Sequence, residues 1–158
     1  MMITHLSVYT LRNLPLEERE RLGCVVLVMR RWPRGIRHSY AGRSIVDYWL
    51  KEAGPSLALL RAYQHGHNLS WEAVVEQYRQ EQLEQTTCAP IAYQRDTGEQ
   101  RGSPVTITTS PVGFLAELET RYGAVCCVCH EDLTKPGSHC HRTELVQLVR
   151  DFQTGDTR

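Results

Sequence analysis

Several things are missing from this chain of 158 residues, and each absence closes off a class of protein. The longest apolar run is six residues, Cys24 to Met29, against the roughly 20 that a membrane-spanning helix needs. No membrane association is therefore expected. Net charge is also absent: 18 Lys and Arg balance 18 Asp and Glu. A generally basic surface that coats nucleic acid is excluded, and any such contact must come from a local patch. There is no Gly-rich phosphate loop, no Gly-x-Ser-x-Gly elbow and no dinucleotide fingerprint, which leaves kinase, α/β-hydrolase and nicotinamide-dehydrogenase readings without support. Met1 to Leu14 has no basic region followed by an apolar core, so no secretory signal is read. With reduced thiols the expected location is cytoplasmic.

What is present is an ordinary globular composition, 41% apolar and 23% charged, in a length that suits one domain. Two runs, Cys24 to Met29 and Ala124 to Cys129, are continuously apolar. That is how strands buried on both faces read, as in a parallel sheet. Ile3, Leu6 and Val8 suggest a further strand near the start. Helical patterns are expected from Leu14 to Arg21, Arg43 to Ala53, Ser56 to Tyr63, Trp71 to Gln85, Val112 to Arg121 and Ser138 or His139 to Phe152. Ser56 and Ser70 are candidate N-caps. The fold class expected is α/β: one compact domain over residues 1–158 with a partly parallel central sheet flanked by helices. Residues 86–111, rich in Thr, Gly, Gln and Pro, read as an insertion, a loop or a β-hairpin about Asp96-Thr97-Gly98.

Four of the six cysteines and three of the seven histidines fall between Cys126 and His141. Ligands of open parallel sheets bind beyond the carboxyl ends of strands. The first apolar run exits into Arg30, Arg31, Trp32 and Arg34, and the second exits into Cys129, His130 and Glu131. A helix is then expected to begin at Cys140, His141 and Arg142. If the two strands are neighbours, thiols, imidazoles and guanidinia converge on one crevice. Cys140 is the candidate nucleophile and, with His141 or His130, the reactive group; the alternative is a small residue packed under a loop. Arg142 is a candidate fork for phosphate or carboxylate, or else a partner of Glu144 or Glu131. Arg30, Arg31 and Arg34 with Trp32 suit a phosphate-bearing ligand that also stacks, such as a nucleotide or a nucleic-acid end. The rival is that Trp32 plugs the sheet and an arginine pairs with Glu52 or Asp47. His65 and His67 read as loop residues.

A cofactor is not required by this pattern. If a metal is held, zinc on Cys129, His130, His139 and Cys140 is the set expected, although Cys127-Val128-Cys129 has poor spacing for zinc. Cys140 and His141 would point apart on a regular helix. Cys126 and Cys127 are expected in the core.

Val28-Met29-Arg30-Arg31-Trp32-Pro33-Arg34-Gly35-Ile36, Trp49 to Ser56 and the helix from Trp71 to Leu83 resemble the YeaO-like proteins, domain-of-unknown-function family 488. Cys140-His141-Arg142 resembles the members with a Cys-His-Arg motif. The resemblance covers roughly residues 3–85 and 112–150. It implies a compact α/β fold and supplies no reaction. Members often carry Asp where this chain has Met29.

Two function classes besides a thiol-dependent enzyme remain open at this point. One is a zinc-stabilised binding module without catalysis, and the other an interaction protein that docks a partner through the Arg-Arg-Trp loop.

Overall fold

In the structure, a computed structural model, residues 2–40, 43–64, 69–94, 104–131, 133 and 138–155 are described. The two apolar runs are strands, and they are adjacent. β2 (Cys24–Leu27) lies parallel to β5 (Ala124–Cys129), with Cys24 opposite Val125 and Leu27 opposite Val128. β1 (Met2–Ser7) lies parallel on the other side of β5. β3 (Tyr48–Trp49) extends the sheet beyond β2, and β4 (Ile91–Ala92) closes that edge in the antiparallel sense. The sheet order is β1-β5-β2-β3-β4. β5 is thus central among the parallel strands, which is why its residues can be apolar on both faces.

Alternation divides the strands between two cores. Val26, Val28, Val125 and Cys127 face one side; Val25, Leu27, Cys126 and Val128 face the other. The first side is covered by α3 (Leu57–Gln64), α4 (Trp71–Glu84), α5 (Pro111–Tyr122) and α6 (Arg142–Thr154). The second takes α1 (Val8–Asn13) and the loop through Ile36, Ile45 and Val46. α2 (Leu16–Arg21) buries nothing. Each large apolar side chain so covered contributes about 1.5–3 kcal/mol. The molecule is a single compact α/β domain. No described helix is long and apolar enough to cross a membrane.

Local chemistry sets the element ends. The Oγ atoms of Ser7, Ser56, Ser70 and Ser110 accept from the amides of Tyr9, Leu59, Ala73 and Gly113 at the starts of α1, α3, α4 and α5. Ser7 therefore ends the first strand one residue before Val8, which opens a helix instead of continuing the strand. Cys126 and Cys127 are fully buried, as their place on an apolar strand requires.

Three expectations need correction. Arg43 to Ala53 is not a helix: it contains β3 and a 3-10 turn, Lys51–Ala53. The open edge of β2 decides this. Asp47 and Leu50 donate to the carbonyls of Val25 and Leu27, and the Asp47 carboxylate accepts from the Val25 amide at 2.8 Å. Ile91 and Ile107 do not face each other across a hairpin. Ile91 pairs with Trp49 in the sheet, and Ile107 pairs with Cys88; the turn at residues 96–98 lies outside the described residues. Phe152 is not inward but half exposed, at 50%, while Leu145, Leu148 and Val149 are buried as their spacing predicts.

Candidate functional site at the carboxyl ends of β2 and β5

Because β2 and β5 are parallel neighbours, the segments leaving them share one end of the sheet. A cavity of about 530 Å³ opens there. Arg30, Arg31, Trp32 and Arg34 line it from the β2 side; Cys129, His130 and Glu131 from the β5 side; His139, Cys140 and His141 from the approach to α6. Leu60, Arg61, Tyr63 and Trp71 complete the wall from α3 and α4. The convergence expected from strand exits is therefore present in all its parts except Arg142.

The reactive geometry lies at the buried end. Cys140 and His141 are 4% and 7% exposed. α6 begins at Arg142 with His141 as its N-cap residue, so Cys140 precedes the helix. The two neighbouring side chains consequently do not point apart, as they would on a helix. Cys140 Sγ is 3.7 Å from His141 Nδ1. The far nitrogen, Nε2, lies 2.5 Å from the Val28 carbonyl just past β2. Only an N–H can bond to a carbonyl, so Nε2 carries the proton and donates it there. Nδ1, on the other side of the ring, faces the Cys140 sulfur and is the nitrogen placed to take its proton. The ring itself is held edge-on to the buried Tyr78, whose hydroxyl donates to the Ala53 carbonyl at 2.6 Å.

A second sulfur adjoins the first. Cys129, at the exit of β5, is 2% exposed, and its Sγ, that of Cys140 and a ring nitrogen of His141 all lie within 4.8 Å of one another. The Cys140 thiol pKa is lowered to about 3. The largest cause is the hydrogen bond from Cys129; the side chain of His141 and the backbone N–H of Arg142 add to it, and burial opposes it. The Cys129 thiol is pushed well up, first by that same bond and then by burial. Of the two sulfurs, Cys140 therefore gives up its proton the more readily. The N-terminus of α6, with its free amides, lies beside it.

Arg142 is placed differently from the expectation of a ligand-binding fork. It is 3% exposed and does not line the cavity. Its Nε donates to His5 Nδ1 at 3.1 Å and its Nη1 to the Glu131 carbonyl at 2.7 Å. It ties α6 to β1 and to the exit of β5 from beneath. His5 has a lowered pKa, through burial first and the Arg142 charge second, which suits an accepting Nδ1.

The arginines of the β2 exit are of two kinds. Arg30 donates to the carbonyls of Gly54 at 3.0 Å and Pro55 at 3.3 Å, so it is anchored. Arg31 and Arg34 are exposed. Neither pairs with Glu52 or Asp47, which instead accept from the amides of Ala89 and Val25. Trp32 donates to the Ile36 carbonyl at 2.7 Å and stacks on His38 with centroids 3.8 Å apart. It fills the second core and also presents an edge to the cavity. His130 is exposed, 2.7 Å from a Glu131 oxygen and 3.8 Å from Cys129 Sγ. His139 is exposed and stacks on Trp71 at 4.8 Å. His65 and His67 lie outside the described residues.

Among the described residues, the group whose ligand atoms come close enough for one metal ion is Cys129, Cys140 and His141. It shares two members with the expected zinc set; His130 and His139 are not part of it. Three protein ligands are one fewer than a structural zinc site uses. What the spacing of residues could not convey is the inclusion of His141, since that depends on where α6 begins. The Cys129 partnership does have a sequence signal: the last residue of an apolar strand points to the same face as Cys127 and emerges at the sheet end.

Gly54 controls how the anchored arginine sits. A Cβ there would lie 2.7 Å from the Arg30 amide nitrogen and 3.1 Å from the Met29 carbonyl carbon. Gly54→Ala is expected to push the β2 exit away and to cost about 1–3 kcal/mol, read as a fall in thermal midpoint of roughly 2–12 °C.

Comparison with known proteins gives one assignment. No curated protein and no solved structure matches the chain significantly. A family model described as "Active DUF488-N3 subclade" matches residues 8–99, which is more than half of the chain and includes the β2 exit and α4. The chain belongs to the DUF488 (YeaO-like) family.

Proposed function

We propose that the protein is a thiol-dependent enzyme whose substrate carries a phosphate or similar anionic group, in the nucleotide or nucleic-acid class. The observation that carries this reading is the pairing of Cys140 Sγ with Nδ1 of His141 at 3.7 Å, inside a cavity rimmed by arginines. In this reading Cys140 attacks an electrophilic centre of the substrate as the thiolate. His141 Nδ1 holds the thiol proton and returns it to the leaving group. Arg31 and Arg34, exposed and unpaired with the nearby acids, receive the anion, and Arg30 shapes the loop that carries them. Trp71 with His139 offers a face for a ring. Arg142 is a positioning residue, since its guanidinium is already committed to His5 and Glu131.

A screen by thermal shift with inorganic phosphate, mononucleotides and short oligonucleotides tests the anion site. At 100 times Kd a bound ligand adds about 2.7 kcal/mol, several degrees for a domain of this size. The Arg31→Ala, Arg34→Ala double variant is expected to lose the shift. No shift with any of the three would remove the phosphate-bearing substrate from the reading.

The clustering of Cys129, Cys140 and His141 favours one rival, a zinc-stabilised binding module. Elemental analysis separates the two: one zinc per chain, removed by a chelator with loss of structure, supports the module; no zinc supports the enzyme.

A further inference from the structure

The mechanism above uses Cys140 and His141 and leaves the second sulfur unexplained. Cys129 is not simply another core thiol. Cys126 and Cys127 lie within β5, fully buried, and Cys24 and Cys88 lie inside the core. Cys129 alone among these borders the cavity together with Cys140. Its Sγ lies within 4.8 Å of that of Cys140. Cys140 stands in the segment before α6, outside any regular element, and a disulfide needs the two sulfurs to approach to about 2.05 Å.

We propose that Cys129 and Cys140 are a redox pair: a hydroperoxide oxidises Cys140, and Cys129 captures the product as a Cys129–Cys140 disulfide. This rests on Cys140 as the nucleophile of the preceding reading and on the closeness of the two sulfurs in one cavity. In the first step the Cys140 thiolate attacks one oxygen of the hydroperoxide. The S–O bond forms, the O–O bond breaks, and the leaving hydroxide or alkoxide takes the proton held on His141 Nδ1. Sulfur loses two electrons and the peroxide gains them, giving a sulfenic acid and water or an alcohol. In the second step the Cys129 sulfur attacks the sulfenic sulfur. The S–S bond forms, the S–O bond breaks, and the hydroxyl leaves as water with the proton from Cys129. Two equivalents of a small thiol restore both cysteines by exchange. The arrangement gives the protein a hydroperoxide-reducing activity, and while the disulfide stands it withholds the nucleophile from any other substrate.

The test treats the reduced full-length protein with one equivalent of hydrogen peroxide at pH 6.5. Wild type is expected to lose two hydrogens in mass. Cleavage after Glu131, without reductant, should leave the segments carrying Cys129 and Cys140 linked, and dithiothreitol should separate them. Cys129→Ser, and Cys129→Ala alongside it in case serine disturbs the buried position, should instead stop at the sulfenic acid and be labelled by dimedone at Cys140. Two results would overturn the proposal: strong dimedone labelling of wild-type Cys140 with no linked segments, or a link that persists in both Cys129 variants. A parallel treatment with iodoacetamide keeps the two readings apart. Alkylation of Cys140 without disulfide formation defeats the redox pair alone, whereas inertness to both reagents defeats the thiol-enzyme reading as well.

Discussion

His141→Phe is expected to slow alkylation of Cys140 by iodoacetamide at pH 6.5 by about tenfold, a part of the roughly hundredfold that separates a full thiolate from an ordinary thiol at that pH. The substitution keeps an aromatic ring against Tyr78 but removes both nitrogens. Nδ1 no longer accepts the thiol proton, and the Val28 carbonyl loses the N–H that now reaches it. The measurement is a competition in which each cysteine-bearing peptide is quantified after timed labelling. Part of the activation should survive, because the Cys129 S–H and the Arg142 amide still favour the Cys140 thiolate. Cys129→Ala in the His141→Phe background should remove a further share. If His141→Phe labels at the wild-type rate, the imidazole is not the base.

The second large effect is structural. Arg142→Leu is expected to destabilise the protein by about 2 kcal/mol, since Nδ1 of His5 and the Glu131 carbonyl each lose a charged donor. That corresponds to a fall in thermal midpoint of roughly 4–8 °C. Loss of the guanidinium also removes one of the influences that hold the His5 pKa down, though burial, the larger one, remains. His5 should therefore titrate at a higher pH in the variant, partway back toward 6.5, as NMR of its ring protons would show. With the folded pKa below the unfolded one, the stabilisation is present above the unfolded value and is lost as pH falls through the folded one. Weaker acid sensitivity near His5 in Arg142→Leu is the expected counterpart. A ligand-binding role for Arg142 would instead leave stability unchanged and abolish the thermal shift by phosphate.

The sulfur pair carries pH dependence of both signs. The Cys140 pKa is lower in the folded state, so its stabilisation is complete above the ordinary thiol value of 9.0 and fades as pH falls toward about 3. Cys129 has a raised pKa, so what it contributes is present at neutral pH and lost in strong alkali.

How much of this was legible in the residues depends on what decided each element. β2 and β5 were readable because strands covered on both faces must be apolar throughout, and nothing else in the chain looks like Cys24 to Met29 and Ala124 to Cys129. Their adjacency was not readable: the sheet order, with β5 between β1 and β2, is what brings the arginine loop and the Cys/His segment together. Arg43 to Ala53 was not readable. Ile45, Val46, Trp49 and Leu50 satisfy a helical stripe as well as a buried edge, and only the unfilled edge of β2 chooses between them. Cys140 and His141 failed for a similar reason at smaller scale. On a helix they diverge; two residues of difference in where α6 begins brings them to 3.7 Å. Arg142 has the composition of an anion fork, and nothing local reveals that His5, 137 positions away, takes its Nε.

The central claim is that Cys140 is a thiolate at neutral pH beside a fixed imidazole. It is tested most directly by the rate of Cys140 alkylation by iodoacetamide between pH 5 and pH 9, resolved by peptide. The rate is expected to change by less than about threefold across pH 5–8, while an ordinary thiol of pKa near 8.5 slows about tenfold for each unit below that value. A Cys140 rate that falls tenfold per pH unit from 8 to 6, in step with an unperturbed thiol, would contradict the account.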